Sequence, residues 1–145
     1  MALVGTNNII QKKVLNANNL VTTNPGVSFQ ELNSAFRLSI TPKFSNSLIF
    51  LEYFIPLNQT TSGHNNIFGF SGYRFAPTAA GLDSRGQGSG SRKQFAGGNV
   101  RAQNGYDHND HNLEYFIAFD SPATTSTCTY GFQVYQEGSD SGTIY

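Results

Sequence analysis

The feature that most constrains this chain is a period-two alternation of apolar and polar residues that recurs along its length. In residues 128–135, Cys128, Tyr130, Phe132 and Val134 fall on one side, and Thr129, Gly131, Gln133 and Tyr135 on the other. Successive side chains of a β-strand point to opposite faces, so such a segment buries one face and frees the other. Residues 35–41 read likewise, with Phe36, Leu38 and Ile40 opposed to Arg37, Ser39 and Thr41. In residues 113–119, Leu113, Tyr115, Ile117 and Phe119 alternate with Glu114, Phe116 and Ala118. Residues 48–57 are apolar nearly throughout, Ile49, Leu51, Tyr53 and Ile55 alternating with Phe50, Glu52 and Phe54. That pattern predicts a strand covered on both faces, within the domain or by a neighbouring subunit.

Weaker candidates complete the set. Residues 67–75 carry Phe68, Phe70, Tyr73 and Phe75 around Gly69 and Gly72, a sign of a bulge or a close backbone approach. Residues 9–15 hold Lys12 and Lys13, as an edge strand does; 27–32 and 95–102 are further short strands. Residues 42–47 are a turn by composition, and 143–145 an edge strand. No segment has a convincing helical period. About eight short strands separated by turn signals predict an all-β, antiparallel, eight-stranded jelly-roll sandwich. At 145 residues one domain is expected: an N-terminal arm and first edge strand over 1–20, then the sandwich over 21–145.

Composition narrows the function. Charged residues are 12% of the chain, about half the usual share, and the formal net charge is zero. There is no basic footprint for nucleic acid. The polar residues are mostly amides, hydroxyls and glycine, which lose less on desolvation than ions when a partner covers them. The longest apolar run is too short to span a bilayer, so no membrane insertion is expected. The N-terminus lacks the pattern of a secretory signal, which predicts synthesis in a cytoplasm without export by that route. The lone Cys128 excludes an internal disulfide framework and reads as a small core residue.

A search for catalytic chemistry finds nothing assembled. The run Tyr106-Asp107-His108-Asn109-Asp110-His111 holds metal-ligating residue types, but without a helix to space them. It reads as a polar loop, and no metal or other cofactor is assigned. The Gly86–Gly90 run lacks the strand-to-helix context of a phosphate loop. The carboxylates are scattered, so no enzyme activity is expected. Two long polar connections, 58–66 and 76–92, read as functional or mobile loops. Tyr73, Tyr106 and Tyr135 read as exposed aromatics. With Arg74, His108 and Asp110, Tyr73 and Tyr106 form a candidate receptor site, where rings stack on a sugar.

Two blocks carry a family resemblance. One is Ser39-Ile40-Thr41-Pro42-Lys43, the turn Ser45-Asn46-Ser47 and the apolar strand that follows. The other is Asp120-Ser121-Pro122-Ala123-Thr124-Thr125 leading into Thr129-Tyr130, and the chain closes on Gly142-Thr143-Ile144-Tyr145. Together they resemble a jelly-roll module of tailed-bacteriophage virion proteins, especially those of marine phages. In that family the module is often trimeric, and it is found in small capsid-decoration (cement) proteins and in tail-fibre tips. The resemblance implies a homotrimer on the virion. With no long stalk before the module, a decoration protein on the capsid exterior that binds the major capsid protein is expected. A tail-fibre or head-fibre tip binding a host-surface glycan is the alternative. Ile9, Ile10, Val14 and Leu15 in the arm, and Phe50 and Phe54 in the apolar strand, are the expected capsid or subunit contacts.

Overall fold

The computed structural model describes residues 11–17, 21–23, 28–62, 66–82, 97–101, 107–137 and 142–144. These residues are all-β. The strands are β1 (Val21–Thr23), β2 (Leu38–Ile40), β3 (Ile49–Ser62), β4 (Asn66–Ala76), β5 (Ala80–Gly81), β6 (Gly97–Arg101), β7 (Asp107–Asp120), β8 (Cys128–Glu137) and β9 (Gly142–Ile144). Every pairing is antiparallel. One sheet has the order β1-β9-β3-β7; the other has β2-β8-β4-β5, with β6 also paired to β4.

The inner faces of the two sheets share the core. Ile55 and Phe116 of the first sheet pack with Phe70, Phe132 and Val134 of the second. Beside them, Ile49 and Ala118 pack with Cys128, Tyr130 and Leu82. The alternation in β8 therefore points as its sequence indicates, and Cys128 is fully buried. At the centre the sheets come close because two small residues face each other. A Cβ placed on Gly72 would lie 3.0 Å from the Ala118 Cβ and 3.2 Å from a Leu82 methyl. Tyr53 reaches across the sandwich, stacking on Phe116 with centroids 4.5 Å apart, and its hydroxyl donates to the Gly131 carbonyl at 2.8 Å.

The structure corrects several expectations. Residues 11–15 form no strand: 11–17 are irregular and largely exposed, because the apolar Val14 and Leu15 are adjacent and in a strand would fall on opposite faces, Val14 beside Lys12 and Leu15 beside Lys13. Of residues 27–32, Val27 lies outside the described residues, and among 28–32 only Gln30 makes a bridge, to Val134. The first half of 35–41 is a single 3-10 turn, Ser34–Phe36, capped by the Asn33 side chain; β2 is shorter than predicted. Residues 58–62 and 107–112 are not loops. They extend β3 and β7, in register from Asn58↔His111 to Ser62↔Asp107. β9 is not an edge strand but lies between β1 and β3. Tyr135 is buried against Phe29, centroids 5.6 Å apart, rather than exposed.

Two interior phenols predict an alkaline limit to stability. Burial raises Tyr53 above the ordinary tyrosine value of 10.0. Tyr130 is raised by burial first and then by its hydrogen bond to Asp120. Both keep their protons in the fold at a pH where the unfolded chain releases them. Their stabilisation is complete below pH 10 and is lost as pH rises above it. Denaturant titrations between pH 9 and 11.5 are expected to show a decline, of which Tyr53→Phe and Tyr130→Phe each remove about 1.4 kcal/mol per pH unit. A decline unchanged by either substitution would place the alkaline transition elsewhere.

Candidate functional site

The surface that stands out is the outer face of the β3–β7 ladder. The register pairs Phe50 with Phe119, Glu52 with Ile117, Phe54 with Tyr115 and Pro56 with Leu113. With Ile55, Phe116 and Ala118 turned into the core, these residues point out. Seven large apolar side chains are exposed on or beside this face: Leu48, Phe50, Phe54, Leu113, Tyr115, Ile117 and Phe119, from 38% for Ile117 to 63% for Leu48. The rings pair across the strands, Phe50 with Phe119 at 5.2 Å and Phe54 with Tyr115 at 4.9 Å.

The inside of β7 carries fewer apolar groups than the outside. Period two alone would turn Leu113, Tyr115, Ile117 and Phe119 inward. Packing selects the other face, because Ala118 is small enough to sit opposite Gly72 while Phe116 fills the space beside Phe70. Among the outward positions from Leu48 to Pro56 and from Leu113 to Ser121 the one charge is Glu52, which accepts a hydrogen bond from the Tyr115 hydroxyl at 3.2 Å. Partial desolvation, then this bond and the carboxylate's charge, raise Tyr115 above the usual phenol range. The phenol is held as a donor to Glu52.

Phe50 and Phe54, expected contacts, thus lie on one continuous face, joined by β7 residues that the sequence reading did not single out. The signal was present, since residues 48–57 and 113–119 are both apolar on two faces. Val14 and Leu15 are exposed, 66% and 41%, on the irregular segment 11–17. Ile9 and Ile10 lie outside the described residues.

Of the expected receptor residues, Tyr73 and Arg74 have described side chains. Tyr73 and Arg74 are consecutive in β4 and point to opposite faces of the sheet. Tyr73 packs edge-on against Phe75, centroids 4.9 Å apart. Arg74 is engaged internally: its Nη1 donates to Asp120 Oδ2 at 2.7 Å and its Nε to the Thr78 carbonyl at 2.9 Å. Tyr130 donates to the same Asp120 oxygen at 2.7 Å. His108 and Asp110 are placed by backbone register opposite Thr61 and Gln59, and Tyr106 lies outside the described residues. Among the described residues, no three His, Cys, Asp or Glu form a group that could hold a metal ion.

The two sequence blocks meet at the β2–β8 ladder. Ser39 and Thr129 share a hydroxyl hydrogen bond at 2.9 Å, and Thr41 and Thr127 another at 2.8 Å. Asp120 opens the second block and holds Arg74 and Tyr130. These residues therefore fasten the framework. No protein-family model, curated protein or solved structure matches the chain.

Proposed function

We propose that this chain is a structural protein of a bacteriophage virion that works by burying sheet surface against neighbouring proteins. On this reading it is a jelly-roll module that assembles as a homotrimer and decorates the capsid exterior, clamping the major capsid protein. The observation that carries the proposal is the apolar outer face of β3 and β7. Exposed apolar patches of a typical monomer reach about 300–600 Å², and larger ones mark interaction sites. Four rings at about half exposure contribute roughly 100 Å² each, and with Leu48, Leu113 and Ile117 the face reaches roughly 600–700 Å². The low charge of the chain suits such burial, and the two sequence blocks supply the link to virion modules.

The arm supplies the second contact. Val14 and Leu15 are apolar, exposed and carried on a segment outside the sheets. Such a segment can reach a neighbour and pair with it, and three arms on one trimer multiply a modest affinity through effective concentration. The test mixes the purified protein with shells of the corresponding major capsid protein that lack it. Co-sedimentation saturating at a fixed number of copies per shell is expected. Leu15→Asp is expected to weaken it by roughly tenfold, the worth of one buried leucine side chain. Protein that stays in the supernatant, or that binds only tails or host glycan, would overturn the proposal.

A further inference from the structure

We propose that the outer face of β3 and β7 is covered by a second copy of this chain, and that Glu52 with Tyr115 sets how the copies seat. The inference rests on the reading of the chain as an assembling surface and names the partner of this face.

Three observations favour a second copy over a different protein. The first is area. Roughly 600–700 Å² of exposed apolar surface approaches the ~800 Å² that each partner contributes to a stable interface. The second is chemistry. Across the outward positions from Leu48 to Pro56 and from Leu113 to Ser121, Glu52 is the only charge. The face therefore has no charge pattern with which to select an oppositely charged partner, whereas an apolar face is complementary to itself. The third is shape. The face is a regular two-stranded ladder with rings paired across it. Three such faces can converge on the three-fold axis of the trimer, the side chains of each interdigitating with those of its two neighbours.

Glu52 gives the contact its selectivity. A carboxylate in the middle of an apolar face disfavours any partner that buries it without donors. The Tyr115 hydroxyl supplies one donor within the same protomer, at 3.2 Å. The remaining acceptor positions of Glu52 must meet polar groups or water at the contact, which limits the arrangements two copies can adopt.

Sedimentation equilibrium of the isolated chain and its variants tests this. The wild type is expected to self-associate at micromolar concentration. Phe54→Asp is expected to weaken association by roughly thirtyfold or more, as loss of a central aromatic anchor does. Ile117→Asp, on the neighbouring strand, is expected to act in the same direction. Both residues are exposed in the protomer, so the fold should persist, and near-ultraviolet circular dichroism checks that it does. Phe44→Ser alters an exposed ring in the turn before β3, outside the β3–β7 pairing, and should leave association unchanged. Glu52→Gln keeps an acceptor for Tyr115 while removing the ion, and is expected to tighten association about five- to tenfold. A wild type that is monomeric at 100 µM, or an association indifferent to Phe54→Asp and Ile117→Asp, would overturn the inference. Weakening by Glu52→Gln would overturn the role assigned to Glu52. The shell-binding assay is separate: self-association without shell binding removes the decoration role and leaves this inference standing. Shell binding by a monomeric wild type does the reverse.

Discussion

Phe70→Ala is expected to destabilise the domain by about 3–5 kcal/mol, the range for deleting a buried ring from a packed core. Phe70 is fully buried at the middle of β4. Its backbone is held on both sides, paired with Val134 of β8 and with Gly97 of β6. Its ring lies 6.1 Å from that of Phe132 and 6.4 Å from that of Phe116, centroid to centroid. A strand tied at both edges cannot move inward to fill a lost ring, so the cavity persists. The loss is a large part of the 5–15 kcal/mol that ordinary domains possess, and corresponds to a fall in melting temperature of roughly 10–20 °C. Urea titration is the measurement, with a lower midpoint at unchanged slope as the expected form. Phe70→Leu, which keeps much of the volume, should cost less than half as much. A loss below 1 kcal/mol for Phe70→Ala would mean that Phe70 is not at the centre of the core.

What the sequence revealed depended on whether one face of a strand was distinct from the other. In β8 the apolar side, Cys128 to Val134, is the buried side, and alternation alone indicated it. In β3 and β7 both faces are apolar, so alternation located the strands without orienting them. The deciding contact was Gly72 against Ala118, two small residues far apart in sequence. The polar halves of the same strands, 58–62 and 107–112, carry no hydrophobic period and read as loops. They are strands because the ladder started by their apolar halves continues in register. The outer face was half legible: Phe50 and Phe54 were expected contacts, but Tyr115, Ile117 and Phe119 join them only once the register is known. Arg74 was misleading for a different reason. A lone arginine near a strand end gives no indication in sequence that its carboxylate partner is Asp120, on another strand.

That pair supports the second large prediction. Asp120→Ala is expected to cost about 2–4 kcal/mol, somewhat below the 3–5 kcal/mol for breaking a fully buried ion pair, because both side chains retain some exposure. The Arg74 and Asp120 side chains are 14% and 11% exposed. Removing the carboxylate leaves a mostly buried guanidinium without its counter-charge and the Tyr130 hydroxyl without its acceptor. Asp120→Asn should cost less, since an amide oxygen can still accept from one of the two donors. Arg74→Met in the Asp120→Ala background should recover about 1–2 kcal/mol, because the unpaired charge is then gone. Chemical denaturation of the four proteins of this cycle measures the coupling directly. The same cycle bears on the role of the Asp120-Ser121-Pro122 block. A block retained to hold two strands together should damage stability when broken and leave the assembly of the surviving folded protein intact. A block that touches a partner should do the opposite. Asp120 lies on the inner side of β7, bonded to β4 and β8, while the exposed apolar face lies on the other side of the same strand. The geometry therefore assigns the block to the framework and the outward residues of β3 and β7 to recognition.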